Sequence, residues 1–252
     1  MPLQGNVLSR SGLLVLGLTI LLIGGLTACQ TKESQDRNTE ENFNNDNNII
    51  ELSSPNIEGD LTIEEAIEER RSVRSYQEEG LSEQELSQLL WAAQGITDKN
   101  RNYRAAPSAG ATFPMEIFVL VEQVEGLASG VYHYLPEKHS LKVLKSEDED
   151  KSEELSQELM KAALGQDSIG EAPVNIIIAA VYDRVTAEYG EVGYRYGKME
   201  AGHISQNIYL QSQGLDLGTV AIGAFHQDSV SNILELSQDT EPLYIMPVGK
   251  LD

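Results

Sequence analysis

Residues 174–181, Val-Asn-Ile-Ile-Ile-Ala-Ala-Val, constrain the fold more than any other stretch of this chain. Successive side chains of a strand point to opposite faces, so a run that is apolar at both odd and even positions must be covered on both sides. The run is therefore a central strand of a sheet, and the remaining segments have to supply its neighbours.

Those segments can be read locally. Thr62-Ile-Glu-Glu65 has capping-box spacing, with Ile63, Ala66, Ile67 and Arg70 following at helical period. This helix should stop near Arg71, because Ser72-Val-Arg-Ser-Tyr76 leans towards β structure. Ser82-Glu-Gln-Glu85 is a second capping box; Leu86, Leu89, Leu90 and Ala93 form the buried stripe, and Gly95 stands where a C′ glycine would. Asp98 to Phe113 is polar and aperiodic, the kind of loop that carries function. Met115–Val121 reads as a buried strand. Gly130–Leu135 and Leu141–Leu144 read as a hairpin around Pro136-Glu-Lys-His139. Further along, the pattern predicts an acidic amphipathic helix over Glu147–Leu164 and a long helix from about Glu188 to Gln213, closed by Gly214. A strand over Gly218–Ile222, a helix over Ser229–Leu236 and a last strand over Leu243–Val248 follow. Helices and strands interleave, a hairpin is present and no βαβ repeat dominates. The expected class is α+β, a mixed sheet flanked by helices.

The first residues belong to a different regime. Gly12 to Leu26 is an uncharged apolar run behind the single charge of Arg10. As a helix it spans only about 22 Å, short of a bilayer's hydrocarbon core of roughly 30 Å, which suits a signal-peptide h-region. Leu26-Thr27-Ala28-Cys29 resembles the bacterial lipobox. That resemblance implies a diacylglycerol on Cys29 and a lipoprotein held outside the cytoplasm, with membrane contact through the lipid anchor only. An uncleaved anchor with an incidental cysteine is the alternative. Gln30 to about Asn56 is rich in Asn, Glu, Asp, Ser and Gln, and predicts a flexible tether before a domain over residues 57–252.

Charge narrows the partners. The chain carries 18 Lys+Arg against 40 Asp+Glu, a formal net charge of −22, which disfavours nucleic acid. One cysteine excludes an internal disulfide and a thiolate-built zinc site. Against this acidic background Arg70, Arg71, Arg74, Lys99, Arg101 and Arg104 cluster within 35 positions. Guanidinium groups suit phosphate, although pairing with Glu64, Glu68 or Glu69 would also explain such a cluster.

Glu69-Arg-Arg-Ser-Val-Arg-Ser-Tyr76, placed after an amphipathic helix, resembles the first FMN-binding segment of the nitroreductase superfamily. Pro107-Ser-Ala-Gly-Ala-Thr-Phe-Pro-Met-Glu-Ile-Phe-Val119 resembles the second, and is most similar to the SagB-type, azoline-oxidase-like branch. Tyr196–Asn207, Gly214–Phe225 and Met246–Lys250 complete five ordered blocks over roughly Leu61 to Lys250. The resemblance implies an FMN-dependent oxidoreductase working in ping-pong order on a small-molecule donor and acceptor, built as an intertwined homodimer. Met199–Leu210 would form the interface. It implies that Arg70, Arg71, Ser72 and Arg74 hold the phosphate and the pyrimidine edge of the ring. Pro107, Ser108 and Ala109 would line the flavin from the neighbouring subunit. Gly218 and Thr219 would let backbone approach the ring, the Gly223 and Ala224 amides would face N5 and O4, and Lys250 would be a second phosphate ligand. Ala111 stands where many nitroreductases have Asn, and Gly223-Ala224 where some have Glu-Gly; the SagB-type branch tolerates both.

Two further readings stay open. Outside the membrane NAD(P)H is lacking, so the donor is of another kind or the domain binds a flavin or small ligand without turnover. An azoline-type dehydrogenase is the other, with no peptide-recognition domain expected ahead of the flavin domain. Glu200 and His203 have Glu-x-x-His spacing, but the further carboxylates of a di-metal site are not visible, and no metal is expected. His133, His139 and His226 lack the partner pattern of a nucleophilic triad.

Overall fold

A computed structural model describes residues 48–146 and 149–251. Cys29, the apolar run before it, most of the predicted tether and the expected helix start at Glu147 lie outside the described residues. In chain order the strands are β1 (Ile49–Glu51), β2 (Ile96–Asp98), β3 (Tyr103–Arg104), β4 (Met115–Val121), β5 (Gly130–Leu135), β6 (Ser140–Ser146), β7 (Val174–Val181), β8 (Leu217–Thr219) and β9 (Thr240–Lys250). The helices are α1 (Ile63–Glu69), α2 (Glu83–Gln94), α3 (Glu149–Ala162), α4 (Asp167–Glu171), α5 (Asp183–Tyr189), α6 (Val192–Gln213) and α7 (Gln227–Ile233).

The apolar octet is β7, inside a seven-stranded sheet of order β1-β6-β5-β4-β7-β9-β8. Its alternation divides the interior. Val174, Ile176, Ile178 and Ala180 meet Leu86, Leu89 and Leu90 of α2 and Ile204 and Ile208 of α6 on one face. Ile177 and Ala179 meet Leu155 and Leu159 of α3 and Val230 of α7 on the other. Each fully buried isoleucine contributes roughly 1.5–3 kcal/mol, so this one strand ties both layers to the sheet. The α+β class holds. Every ladder between the named strands of this sheet is antiparallel. Parallel pairing among the described residues is confined to the isolated bridge between Leu81 and Val124.

Both capping boxes form. Thr62 and Ser82 each accept the amide of the residue three positions on, and Glu65 and Glu85 reach back to the cap amides. Gly95 follows α2 as expected but for another reason: its backbone is extended (φ −60°, ψ 152°), and a Cβ there would stand 2.3 Å from Trp91 Cδ1. Packing, not a left-handed turn, requires glycine. The helix expected from Glu188 is two helices, broken at Gly190, whose φ of 61° ends α5. The predicted loop Asp98–Phe113 contains the end of β2, the short β3 and a 3-10 turn at Ala109–Ala111.

The folded part starts earlier than position 57. β1 pairs with β6 through Ile49–Lys142, Ile50–Leu141 and Glu51–Ser140. Ser53 N–H then donates to Glu83 Oε1 at 2.8 Å, and Asn56 N–H to Gln88 Oε1 at 2.8 Å. A polar composition read as solvated spacer is thus tied to the domain from Ile49 onward by backbone pairing that composition does not register.

Candidate functional site

The arginine-bearing segment leaves α1 in extended conformation and docks on β8. Val73 N–H donates to the Thr219 carbonyl at 2.9 Å. Directly opposite, a Cβ on Gly218 would stand 2.7 Å from Val73 Cγ1 and 2.8 Å from Val73 Cβ. Gly218 therefore makes room for Val73, and Thr219 gives its hydroxyl to the Pro247 carbonyl at 2.8 Å. The close approach seen at Gly218 is that of the chain's own segment.

Tyr209, on α6, is the hub beneath this segment. Its Oη accepts the Ala221 N–H at 2.8 Å and lies 3.1 Å from Ser72 Oγ, while the Arg70 guanidinium sits 5.2 Å over its ring. Arg71 Nη1 donates to the Glu68 and Arg70 carbonyls at 2.7 and 2.8 Å. Among the described residues, Arg70, Arg71 and Arg74 form no ion pair with any carboxylate. Pairing with Glu64, Glu68 or Glu69 does not occur. Three guanidinium groups thus share one short segment with no carboxylate paired to them among the described residues. Beyond Ala221 the exposed Gly223 and Ala224 offer amides that have no acceptor among the described residues.

Lys250 departs from its expected role. Its backbone pairs with Leu217 of β8, but its ammonium is held by Glu85 at the start of α2. Burial pushes the Glu85 carboxyl up, yet Lys250 and Ser82 outweigh it and hold the group ionised, below its ordinary range. The second phosphate ligand predicted here is committed to a carboxylate.

A second cluster forms around the loop 107–113. Ser108 Oγ accepts the Phe113 N–H at 2.9 Å, and the Ala109 carbonyl accepts from Thr112. Gly110, Ala111 and Phe113 all have left-handed φ, of 59°, 53° and 44°. Only glycine fits at the first, where a Cβ would stand 2.5 Å from Tyr189 Oη. Below the loop, Glu200 of α6 is 3 % exposed. Burial pushes its carboxyl up to about 7, with hydrogen bonds from Ser108 and Gln94 and the Arg104 charge opposing the shift. Arg104 ion-pairs with Glu137 at 2.8 Å and lies 4.4 Å over the Phe113 ring. On the other side Arg184 donates to the Phe113 carbonyl at 3.0 Å and pairs with Glu116, which also binds His133.

The structure brings Arg70–Arg74, Gly218, Thr219 and, through Ala221, the Gly223-Ala224 stretch together. It does not bring Pro107, Ser108 and Ala109 to them within one chain. Tyr209 and Glu200, their respective anchors, are nine residues apart on α6, about 14 Å along the axis. Glu200 and His203 do not converge either, one being buried and the other exposed; among the described residues no three His, Cys, Asp or Glu side chains could share a metal ion. Sequence reasoning missed Tyr209 and Arg184 and gave Glu200 no site role. For Glu200 a signal was present: a carboxylate within the apolar stripe Gly197, Ala201, Ile204, Ile208 of a long helix.

The nitroreductase family model matches residues 67–250. A predicted nitroreductase of Methanocaldococcus jannaschii is 45% identical over 202 residues, covering 80% of this chain and 96% of that protein. The microcin B17-processing protein of Escherichia coli is 27% identical over 179 residues, 68% of this chain and 63% of that protein. A solved structure of a predicted nitroreductase from Ralstonia eutropha superposes with a TM-score of 0.69, covering 81% of this chain and 90% of that one at 24% identity, a likeness of fold. With its fold, its ordered blocks and nearly all of its described length accounted for, the chain belongs to the nitroreductase family.

Proposed function

We propose that this nitroreductase-family oxidoreductase binds FMN and passes two electrons from a small-molecule donor to a small-molecule acceptor in ping-pong order. The observation that carries the reading is the set of guanidinium groups at Arg70, Arg71 and Arg74, unpaired with any carboxylate among the described residues, in a chain of net charge −22. Planar N–H donors match a dianionic phosphate, and the open amides of Gly223 and Ala224 match acceptor atoms on a ring edge. Lys250, held by Glu85, does not fit as a phosphate ligand.

When bound, FMN supplies the hydride chemistry. The chain's part is binding, orientation and charge. Arginine at the site favours the form that carries extra negative charge after reduction, and that preference lowers the barrier to accepting electrons. Tyr209 fixes the segment by holding Ser72 on one side and Ala221 on the other.

The reading extends to a homodimer. The loop 107–113 and the arginine segment lie at separate stations along α6, so each chain carries two half-sites that a second copy can complete. Attachment outside the cytoplasm through a lipid on Cys29 belongs to the same proposal, and the lipobox-like tetrapeptide supports it. A second reading, dehydrogenation of a modified peptide, draws on the likeness to the microcin B17-processing protein.

The test is spectroscopic. The purified chain should be yellow or become so with FMN, bleach with dithionite and recolour with an acceptor; a colourless protein that takes up no FMN would end the reading. Bleaching with no reoxidation by any acceptor would leave a flavin-binding protein without turnover. Arg71→Ala should weaken FMN retention between about tenfold and about a hundredfold, the range for a charged hydrogen bond.

A further inference from the structure

The loop 107–113 rests on α5 and meets it at both ends of that helix. At the far end a Cβ on Gly110 would stand 2.5 Å from Tyr189 Oη. At the near end Arg184 reaches the last residue of the loop, where its Nη1 donates to the Phe113 carbonyl at 3.0 Å. The same guanidinium is anchored on its other side, with Nη2 standing 2.5 Å from Glu116 Oε1. Glu116 is fixed in turn. Its Oε2 lies 2.6 Å from His133 Nε2, and that imidazole stacks on Phe118 with ring centroids 4.7 Å apart. The contacts that end on the Phe113 carbonyl are thus rooted in β4 and β5.

This place needs holding. Phe113 has a φ of 44°, a left-handed value that a bulky residue keeps only when its surroundings hold it there, and Gly110 and Ala111 are left-handed too. The next residue already belongs to the sheet, since the Pro114 carbonyl accepts the Val181 N–H at 2.8 Å. Arg184, three positions beyond Val181, grips the last peptide before that pairing begins. From the loop side Ser108 Oγ accepts the Phe113 N–H at 2.9 Å. Both backbone polar groups of the strained residue are therefore held by side chains.

We infer that Arg184 is a positioning residue for the proposed flavin site: it clamps the loop 107–113 between the Phe113 carbonyl and Glu116, and so sets where Pro107, Ser108 and Ala109 stand. The link to flavin rests on the proposed FMN binding; the clamp rests on the chain's own contacts. The role calls for arginine. Its planar fork serves a carbonyl and a carboxylate at once, whereas lysine carries its charge as a compact point. The role also differs from support of the fold. The Arg184 side chain is 43 % exposed, and an ion pair so open to water adds little to global stability.

Arg184→Gln and Arg184→Lys in the full chain test this. Hydrogen exchange without added flavin reads the amides of Ala111, Thr112 and Phe113, all of which are bonded within the loop. Their protection should fall about tenfold in both variants, the loss of one charged hydrogen bond, while the urea midpoint stays with the parent's. FMN retention should fall by a similar factor. Glu116→Gln, which frees the far side of the guanidinium, should loosen the loop less, and should add nothing to Arg184→Gln when the two are combined. It decides the matter if the arginine variants do not fold. Protection that is unchanged in Arg184→Gln, or restored by lysine, overturns the inference. So does a lowered urea midpoint with protection lost evenly along the chain, the mark of a residue that supports only the fold. FMN titration separates the inference from the site reading. A parent chain that takes up no FMN ends that reading, and the loop amides still decide the clamp. A parent that takes up FMN, beside an Arg184→Gln variant that loosens the loop yet retains FMN as well, keeps the reading and overturns the positioning role.

Discussion

Glu200 makes the fold's stability depend on pH. In the folded chain burial keeps its carboxyl protonated up to about pH 7, whereas the unfolded chain releases that proton near 4.5. The folded state holds more protons in that window, so the stability Glu200 allows is full below about 4.5 and declines as pH rises through about 7. Glu200→Gln keeps the side chain's shape without the buried charge. At about pH 8 the variant should exceed the parent by on the order of 1–3 kcal/mol, and at about pH 4 the difference should nearly vanish; urea midpoints at both values measure it. A variant less stable than the parent at about pH 8 would show the charge to be better compensated than Ser108, Gln94 and Arg104 suggest. Glu116 shows the compensated case: burial raises its carboxyl, but His133 and Arg184 more than offset that and lower it. At this scale the candidate site was legible where its residues are neighbours in sequence. Arg70, Arg71, Ser72 and Arg74 are neighbours, and their shared charge stands out in an acidic chain. Tyr209 is not legible, because its bond to Ser72 joins positions 137 apart. Neither is the capture of Lys250 by Glu85, 165 positions away. Gly218 announced a close approach, but a glycine does not say which group approaches.

Among the elements, the contact between the arginine segment and β8 sets the site's geometry. Gly218→Ala would place a methyl 2.7 Å from Val73 Cγ1, so the segment must shift or the strand must bend. A loss of about 1–3 kcal/mol is expected, as for other overpacked contacts, with weakened FMN retention alongside it. The double variant with Val73→Ala should recover most of the stability. Denaturation of the three variants closes that cycle, and additive losses would mean the two positions do not meet. The elements that the sequence announced are those with self-contained signals: two capping boxes, the hairpin closing at His139, and the apolar octet of β7. β1 has three residues and exists through its pairing with β6, so no periodicity could reveal it. The break between α5 and α6 hangs on the φ of Gly190, which a helical pattern reads through.

For the whole molecule, the outward side of α6 is the place to test the proposed homodimer. Met199 is 53 % exposed and shares that side with the exposed His203 and Gln206, at helical spacing. If a second copy packs there, Met199→Asp should turn a dimer into a monomer by sedimentation and reduce FMN retention in parallel. A variant that stays dimeric, or a monomer that keeps its flavin, would separate the loop 107–113 from the arginine segment's function. β1 has a bearing on something else, the path of mechanical load. Tension arriving from the N-terminal side enters the described fold at Ile49 and must first part three residue pairs with β6. Behind them lies a knot in which Ser87 and His139 both bind the Ser53 carbonyl while Tyr134 holds the other imidazole nitrogen. Neither the loop 107–113 nor the arginine segment lies on that path, so a pull on the leading end would be borne at one sheet edge while the site keeps its shape.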